Sequence, residues 1–356
     1  MAFDKMIVKK LLKKFDDVPF VVKFPDGEEF KVGEGEPQAI IRANGGIDMG
    51  AVMKSPSLAL GEAYMDKTLE LEKGDLFEIL NMVLAKLEDF ASDFSGLTKI
   101  MKTSTSKKNQ KQEIATHYDI GNEFFELWLD ETMSYSCGYF KHETDTLYDA
   151  QVNKVEHILK KLNLKEGQTL LDIGCGWGYL LIAAAKKYHV KGVGITLSEE
   201  QYKKGQERIK AEGLEGQVEI RLMDYRDLEK SGMTFDRIVS VGMLEHVSRD
   251  NYPLFFKNID KVLNKKGIVL LHYISGRQEH DGDPWIKKYI FPGGIIPSLR
   301  EIIYLIGEYN YYTLDVESLR RHYEKTLLEW SKNYAAKRDV IDTMFEERFV
   351  RMWELY

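Results

Sequence analysis

Three glycines at alternate positions follow an apolar run near the middle of the chain. The segment reads LLDIGCGWG over residues 170–178 and places glycine at 174, 176 and 178. Glycine lets a backbone turn approach a ligand where a Cβ atom would collide with it. Asp172 precedes the turn and is placed to orient it or to bind an amino group of the ligand. The segment therefore predicts a nucleotide-binding turn between a strand and a helix.

The spacing of these glycines separates two kinds of nucleotide site. A dinucleotide fingerprint needs a glycine at the position that Tyr179 occupies. The observed G-x-G-x-G spacing instead looks like the S-adenosylmethionine motif, in which no pyrophosphate is accommodated. The next strand, VKGVGIT, ends in Thr196 and not in the acidic residue that usually binds the ribose. Gln201 is the candidate for that contact, and Ser198 is expected to cap the following helix.

Strand-like and helix-like runs alternate from about residue 116 onward, which is typical of a doubly wound parallel sheet. We therefore predict an α/β, Rossmann-like class I S-adenosylmethionine methyltransferase fold. The strand-like runs are QTLLDIG (168–174), VKGVGIT (190–196), VEIRLMD (218–224), FDRIVSVG (235–242) and GIVLLHYI (267–274). The helix-like runs include LLIAAAKKY (180–188) and a Glu- and Lys-rich segment (198–212).

The first ninety or so residues predict a small mixed α+β domain. A basic amphipathic helix over 3–15 is followed by a turn, Pro25-Asp26-Gly27, between two strands, and 57–90 has the pattern of helices. The helix either packs on its own domain or lies on a membrane surface. We expect an N-terminal lipid-associated domain (1–97), a basic linker (98–115) and a catalytic domain (116–356).

Composition and charge exclude several classes of protein. The 356 residues carry a net charge of −7, which argues against nucleic acid as the main partner. Two distant cysteines do not make a disulfide framework and favour a reducing, intracellular compartment. We find no signal peptide and no run of about 20 apolar residues, so any membrane contact is expected to be peripheral.

Several long segments resemble the cyclopropane fatty acid synthase family, whose relatives include the mycolic acid cyclopropane synthases. LGEAYMDKTLE (60–70) resembles the form with an additional N-terminal domain. The other matching segments are HYDIGNEFFELWLDETMSYSCGYF (117–140), LLDIGCGWG (170–178), GITLSEEQ (194–201), VSVGMLEHV (239–247), LLHYISG (270–276), IFPGGIIPS (290–298) and HYEKTLLEW (322–330).

The resemblance implies two sets of site residues. Family members often carry Trp-Glu where this chain has Tyr225-Arg226. The implied S-adenosylmethionine contacts are Tyr135, Ser136, Gly174, Gly176, Thr196, Leu197, Gln201, Tyr225 and Arg226, to which the motif adds Asp172. The implied ligands of a bound bicarbonate ion are Cys137, Glu245, His272, the backbone of Ile274, and Tyr323.

Each catalytic residue type also has an ordinary structural interpretation. Cys137 is expected by itself to be a small buried apolar side chain, and His272 a core histidine after IVLL. Glu245 could begin a helix, and Tyr323 could pack in the core. The same two interpretations, core packing or lining of a lipid pocket, apply to the aromatic residues Phe124, Phe125, Trp128, Tyr135 and Tyr139.

The resemblance implies transfer of a methylene group from S-adenosylmethionine to the cis double bond of an unsaturated phospholipid acyl chain, with bicarbonate as the base. It also implies a homodimer, located in the cytoplasm at the inner face of the membrane. A methyl-branching lipid methyltransferase, a methyltransferase for a headgroup or small molecule, and a lipid-binding protein without activity remain as alternatives. No metal is expected.

Overall fold

The computed structural model describes residues 2–16, 18–83 and 120–356. The expected basic linker (98–115) lies outside the described residues, as do His117 and Tyr118 of the family segment. Contacts divide the chain into two compact units. The first contains Met1–Lys102, Asp283–Tyr289 and Asp342–Tyr356, and the second contains Thr103–Gly282 and Ile290–Ile341. No helix in the described part of the chain is long and apolar enough to cross a membrane.

The first unit contains a four-stranded sheet with the order β2-β1-β3-β4. Its strands are β1 (Phe20–Lys23), β2 (Glu29–Val32), β3 (Ala39–Ala43) and β4 (Leu69–Lys73). The predicted turn at 25–27 joins β1 and β2, which pair in antiparallel fashion. β3 adds parallel to β1, and β4 adds antiparallel to β3. The mixed α+β character predicted for this part of the chain is therefore present.

The predicted N-terminal helix is also present and packs on this sheet. Helix α1 (Ala2–Leu12) continues into a 3₁₀ turn, Lys13–Phe15. Lys5 forms salt bridges with Asp26 and Glu28, and Lys9 forms one with Glu28. Leu12 and Phe15 pack against the apolar cluster around Phe20. Two of its lysines are therefore bound by the β1–β2 hairpin, as in a surface helix that packs on its own domain.

The helical prediction for 57–90 is only partly correct. Helices α2 (Met49–Lys54) and α3 (Pro56–Met65) occupy its first part, but β4 follows at Leu69. Lys67 has a left-handed backbone (φ 58°) that ends the helix. The alternating LELEK sequence then pairs with β3. Tertiary pairing overrode the helical prediction for this short segment. Residues 76–83 are helical, and the rest of the predicted span lies beyond the described residues.

A segment that is distant in sequence completes the first unit. Helix α9 (Pro284–Tyr289) places the Trp285 ring on Gly61, where a Cβ atom would lie 2.4 Å from the indole. The Trp285 indole N–H donates to Met65 Sδ at 3.3 Å, and Lys288 pairs with Glu62 at 2.5 Å. The C-terminal helix α13 (Glu347–Leu355) belongs to the same unit, and its Arg351 donates to the Tyr64 carbonyl at 2.7 Å.

The second unit has the predicted doubly wound sheet, in which all strand pairs are parallel. The order is β7-β6-β5-β8-β9, so the chain moves outward in opposite directions on the two sides of the β5–β8 pair. Such a reversal leaves a crevice at the carboxyl ends of the strands. The strands are β5 (Thr169–Ile173), β6 (Lys191–Thr196), β7 (Val218–Leu222), β8 (Phe235–Val241) and β9 (Leu263–His272).

Two apolar clusters, one centred on α6 (Tyr179–Tyr188) and the other on α8 (Tyr252–Val262), pack against the sheet strands. Side-chain caps fix where two of the helices begin. Thr146 and Asp149 form a capping box at the helix that begins at Leu147, and Ser198 caps the helix that begins at Glu199, as predicted. The helices are α4 (Asn122–Trp128), α5 (Leu147–Lys161), α6 (Tyr179–Tyr188), α7 (Glu199–Ala211), α8 (Tyr252–Val262), α10 (Leu299–Glu308), α11 (Arg320–Ala336) and α12 (Arg338–Met344). Shorter 3₁₀ turns occupy Tyr225–Ser231, Leu244–His246 and Arg249–Asn251.

Candidate active site

A cavity opens at the carboxyl ends of β5, β6 and β8. It lies where the topology predicts a ligand site, and its wall includes most of the residues that the sequence assigned to the cofactor. Those residues are Tyr135, Ser136, Asp172, Gly174, Gly176, Thr196, Leu197, Gln201 and Tyr225. Their contacts with a cofactor stay predictions, but the fold brings them to one cavity.

The glycine-rich turn has the backbone geometry that excludes other residues. Gly174, Gly176 and Gly178 have φ angles of 81°, 54° and 82°, in the left-handed region that glycine adopts without strain. A Cβ atom on Gly178 would lie 2.8 Å from Ile220 Cδ1. The backbone N–H of Gly174 donates to the Ile195 carbonyl at 2.9 Å, which ties the turn to the neighbouring strand. Helix α6 begins directly after Gly178.

Asp172 contributes a buried carboxyl group at the end of β5. The residue is 3% exposed, and its Oδ1 atom has no hydrogen-bond partner among the described residues. Burial raises its pKa to about 7, and the nearby charge of Lys154 partly opposes that shift. A buried polar atom without a partner is costly unless a ligand supplies one. Asp172 is therefore suited to accept a hydrogen bond from an amino group in the cavity.

Thr196 and Gln201 meet after β6, at the place of the missing acidic residue. The Thr196 hydroxyl donates to Gln201 Oε1 at 2.8 Å, and Ser198 Oγ accepts from the Gln201 N–H at 3.2 Å. Since the oxygen of the Gln201 carboxamide is occupied, its NH₂ group is the part that can donate to a hydroxyl oxygen in the cavity.

The two residues at the predicted adenine edge behave differently. Tyr225 is 3% exposed, packs edge-on against Phe255 with ring centroids 5.3 Å apart, and lines the cavity. Arg226 is not part of the cavity wall, because its guanidinium is bound by Asp224 at 2.5 Å. The structure thus brings only Tyr225 of this pair to the cavity. The contact assigned to Arg226 by resemblance has no counterpart in the geometry of the cavity wall.

Glu245 is the most unusual of the predicted catalytic residues. It lies in the 3₁₀ turn after β8, and its Oε1 atom accepts from the backbone N–H of Ile274 at 2.6 Å. Its Oε2 atom is buried without a hydrogen-bond partner in the described part of the chain. Burial raises the pKa of Glu245 to about 7. Two of the predicted catalytic positions, Glu245 and the backbone of Ile274, are therefore in direct contact.

His272 ends the adjacent strand, β9. It pairs in register with Val241 of β8, and its carbonyl accepts from the Gly242 N–H at 2.8 Å. Its Nδ1 atom is buried and has no partner among the described residues, and burial lowers its pKa to about 4. The imidazole is consequently neutral at physiological pH, and Nδ1 is left to bind a small polar group.

Cys137 and the backbone of Tyr323 contact the same backbone carbonyl. The Cys137 thiol lies 3.8 Å from the Leu319 carbonyl, and the same carbonyl accepts from the Tyr323 N–H at 3.0 Å. Burial raises the pKa of Cys137 to about 11, so the thiol is protonated at neutral pH. Lys154 lowers the pKa of both Cys137 and His272, which places its charge near both groups. The structure thus places Glu245 against the Ile274 backbone and links the Cys137 thiol to the Tyr323 backbone through the Leu319 carbonyl, while His272 ends strand β9.

The aromatic residues of the family segment form a connected cluster. Phe124, Phe125 and Trp128 are buried on α4, in agreement with the core-packing interpretation. Tyr135 contacts Trp330 at 5.3 Å between ring centroids, and Trp330 contacts Tyr323 at 6.3 Å. Tyr135 also lines the cavity. Tyr139 does not, because it stacks between His157 and His322 at 4.4 and 4.8 Å.

Two basic residues of the cavity wall, Lys154 and His246, were not among the predicted site residues. Lys154 is 3% exposed and lies on the buried face of α5. Its position was readable from the sequence, because it occurs at an apolar position of the helical repeat, between Leu147 and Ile158. His246 packs edge-on against Phe291 at 5.4 Å, and burial lowers its pKa to about 4.

Comparisons with known proteins agree with this geometry. Residues 105–356 match the family described as mycolic acid cyclopropane synthetase, and residues 7–95 match a domain of unknown function, DUF7884. The cyclopropane-fatty-acyl-phospholipid synthase of Escherichia coli strain K12 is 40% identical over 328 residues, which cover 90% of this chain and 83% of that protein.

A relative with another activity in its name is similarly close. The probable fatty acid methyltransferase of Pseudomonas putida is 38% identical over 346 residues, covering 95% of this chain and 86% of that protein. The crystal structure of mycolic acid cyclopropane synthase CmaA1 complexed with SAH and CTAB superimposes with a TM-score of 0.65 at 34% identity, covering 69% of this chain and 90% of that one. The chain therefore belongs to the mycolic acid cyclopropane synthetase family and is an S-adenosylmethionine-dependent methyltransferase.

Proposed function

We propose that the protein is a cyclopropane-fatty-acyl-phospholipid synthase, which inserts a methylene group from S-adenosylmethionine across the cis double bond of an unsaturated phospholipid acyl chain. The observation that carries the proposal is the buried carboxyl group of Glu245, with one oxygen bound to Ile274 and the other without a partner. In direct methylation of an amine, the transferred methyl group keeps its three hydrogens. Closure of a ring on an alkene requires a base near that methyl group, since one proton must leave it.

The cosubstrate fits the cavity residues that the sequence assigned to it. The sulfonium supplies the methyl group, and the reacting carbons must be held at near-attack distance from it. The left-handed glycine turn lets the backbone approach this ligand closely, and Oδ1 of Asp172 is available to its amino group. Gln201 would donate to a ribose hydroxyl, and Tyr225 would pack against the adenine.

The catalytic residues also fit a small anion such as bicarbonate. Glu245 Oε2 and His272 Nδ1 are buried polar atoms without partners in the described structure, and the Cys137 thiol and Tyr323 hydroxyl supply further polar groups. The lowered pKa of His272 keeps its imidazole neutral near pH 7, and the raised pKa of Glu245, about 7, leaves its carboxyl group only partly ionised there, which reduces the repulsion of an anion. When bound, bicarbonate supplies the base. Glu245 would orient it, and His272 would donate a hydrogen bond to it.

Aromatic side chains near these groups suit a reaction with a cationic centre on the acyl chain. Tyr135, Trp330 and Tyr323 follow one another at 5.3 and 6.3 Å between ring centroids. A π-face stabilises a nearby positive charge by roughly 0.5–2 kcal/mol and brings no nucleophilic water. The same rings provide an apolar surface for a hydrocarbon chain.

The proposal includes peripheral contact with the cytoplasmic face of the membrane and a homodimer. Exposed apolar side chains support a lipid-facing surface: Leu299, Ile303 and Tyr304 on α10, and Leu314 after it. We expect the Tyr304→Glu/Leu314→Glu variant to bind less to vesicles of anionic unsaturated phospholipid in a flotation assay. Unchanged flotation would place the lipid contact elsewhere, and light scattering after size exclusion tests the dimer.

A product assay tests the reaction. The protein is incubated with S-adenosylmethionine and vesicles of cis-unsaturated phospholipid, and the acyl chains are analysed by mass spectrometry and proton NMR. The proposal expects a gain of one CH₂ together with high-field cyclopropane protons. It also expects His272→Ala to bind S-adenosylmethionine but lose turnover, and turnover of the wild type to fall in bicarbonate-depleted buffer. Full turnover in both cases would overturn the assigned roles.

The relative named as a fatty acid methyltransferase favours one alternative, formation of a methyl branch. This reaction would use the same cosubstrate site and the same acyl chain. The product distinguishes the two functions, because a methyl branch gains one CH₂ without cyclopropane protons. Absence of any gain with a bound cosubstrate would point to a different acceptor.

A further inference from the structure

Lys154 is a buried lysine in a helix whose other lysines lie at the surface. It shares the buried face of α5 with Gln151, Val155 and Ile158. By contrast, Lys161 on the same helix forms salt bridges with Asp315 and Glu317. Burying an ammonium group costs free energy unless the charge meets a partner. Neither solubility nor helix stability explains why a lysine occupies this buried position.

The contacts of Lys154 leave most of its hydrogen-bonding capacity unused. Its Nζ atom donates to Ser136 Oγ at 2.8 Å, and no carboxylate of the described residues forms a salt bridge with it. An ammonium group has three donors. Desolvation lowers the pKa of Lys154 to about 8, although the charges of Asp130 and Asp172 oppose that shift. The ammonium thus faces the cavity as a partly unsatisfied cation.

A second buried polar side chain, one turn earlier, fixes the segment that Lys154 contacts. The Gln151 amide donates to the Ser136 carbonyl at 2.9 Å and to the Ser134 carbonyl at 3.3 Å. Because Ser136 Oγ accepts from Lys154, the hydroxyl proton of Ser136 can be donated into the cavity. Helix α5 therefore presents a positive charge and an oriented hydroxyl donor at one point of the wall.

Only one part of S-adenosylmethionine complements that point. Its adenine and ribose are uncharged, its sulfonium and amino groups are positive, and its α-carboxylate is negative. Asp172, in the same cavity wall, suits the amino group. We propose that Lys154 is the counter-ion of the α-carboxylate of S-adenosylmethionine, and that the Ser136 hydroxyl it holds donates to the same carboxylate. This inference rests on the S-adenosylmethionine dependence of the family and is independent of the acceptor proposed above.

Lys154 and Asp172 together would then recognise the two charges of the amino acid end of the ligand. A cation on the wall also disfavours the opposite orientation of the amino acid end, because the positively charged sulfonium and amino groups would then approach the ammonium of Lys154. The ligand is thereby held in one direction, with its carboxylate on Lys154. Positioning of this kind contributes to turnover as well as to affinity, since the sulfonium must face the acceptor.

The test combines a change in the protein with a change in the ligand. Calorimetry measures the affinity of the wild type and of Lys154→Met for S-adenosylhomocysteine, and for its analogue with a 3-aminopropyl group, which lacks only the carboxylate. Hydrogen bonds between charged groups support an expected loss of about 10- to 100-fold for S-adenosylhomocysteine in Lys154→Met. The analogue should lose less than about threefold, because the interaction in question is already absent from it.

Two controls keep the outcome interpretable. Lys161→Met removes a lysine from the same helix at the surface and should leave both affinities unchanged. Thermal unfolding and circular dichroism establish that Lys154→Met is folded. Ser136→Ala is a second variant, which should likewise lose more affinity for S-adenosylhomocysteine than for the analogue. Equal losses for both ligands would assign Lys154 a purely structural role and overturn the proposal. Unchanged affinity for S-adenosylhomocysteine would overturn it as well.

The pH dependence of binding gives a readout that a structural role would not produce. In the wild type, the preference for S-adenosylhomocysteine over the analogue should decrease as pH rises above the pKa of the bound lysine, because neutral Lys154 no longer attracts the carboxylate. In Lys154→Met the ratio of the two affinities should depend less on pH, because only the amino groups of the ligands and the groups of the wall that both proteins share still titrate. A preference with the same pH dependence in both proteins would contradict the proposal. No lipid is present, so this result is separate from the product assay.

Discussion

The two compact units both pair charges at the surface but differ in the polar side chains that they bury. In the first unit, charges such as those of Lys5, Glu62 and Arg348 lie near the surface and pair with opposite charges. In the second unit, Lys154 and Asp172 are buried away from such pairs. Among the described residues, all of the buried polar and charged residues lie in the second unit.

This difference favours the second unit as the place where the cosubstrate binds. Exposed pairs contribute little to stability and little information about function. Buried groups without partners destabilise the folded protein, and perturbed pKa values are common at functional sites for that reason. Here the groups with pKa values near neutrality or strongly shifted by burial, Asp172, Glu245, His246 and His272, surround the carboxyl ends of the strands. The first unit has the character of a packed scaffold.

The largest effect is expected for Glu245→Gln. The amide has nearly the same shape but cannot accept a proton in the same way, so turnover should fall by about 10²–10⁴-fold, the usual contribution of an acid–base group. Binding of S-adenosylmethionine should be retained, because Glu245 is not in the cavity wall. Steady-state kinetics measures the turnover, and calorimetry measures the affinity for S-adenosylmethionine. Glu62→Gln, in the first unit, is the matched control and should keep full turnover.

Trp285→Ala tests whether the first unit depends on apolar packing. The indole is 4% exposed and lies on Gly61 and Met65. Its removal should destabilise this unit by about 3–5 kcal/mol, as for other buried aromatic residues. Urea denaturation followed by circular dichroism measures the loss, and Trp285→Phe should recover part of it. A loss below about 1 kcal/mol would show that the helix α9 contact is unimportant for the unit.

The pH dependence of stability tests the buried carboxyl group of Asp172. Its folded-state pKa, about 7, is above its usual value, so the folded protein holds a proton that the unfolded chain releases between about pH 4 and 7. The stabilising contribution of protonated Asp172 is therefore lost as pH rises through this range. Relative to wild type, Asp172→Asn should gain about 2–4 kcal/mol between pH 4 and 7. A pH-independent difference would mean that Asp172 is solvated.

The smallest effect is expected for the stability of Glu62→Gln. Glu62 accepts from the Tyr289 hydroxyl at 2.7 Å and pairs with Lys288 at 2.5 Å at a partly exposed position. Exposed ion pairs usually contribute less than about 1 kcal/mol, and high salt reduces the contribution further. Denaturation at low and high ionic strength measures it. A loss above about 2 kcal/mol would contradict the contrast between the two units.

Much of the second unit could be predicted because its signals are local. The apolar strand runs, the glycine turn at 174–178 and the Ser198 cap each depend on neighbouring residues, and all are present. The fold of the first unit was predicted less well, since LELEK was predicted as part of a helix. Pairing with β3 decided in favour of the strand. The partner of Trp285 could not be predicted at all, because Gly61 is distant in sequence.

The sequence by itself determined the α/β fold, the position of the nucleotide turn and the residue types available for catalysis, because periodicity and glycine content act over a few residues. The tertiary structure decided which of these residues meet. It joined Glu245 to the Ile274 backbone, removed Arg226 from the cavity by pairing it with Asp224, and placed the charge of Lys154 in the wall. Burial and partner choice depend on contacts between distant segments, and only the folded chain specifies them.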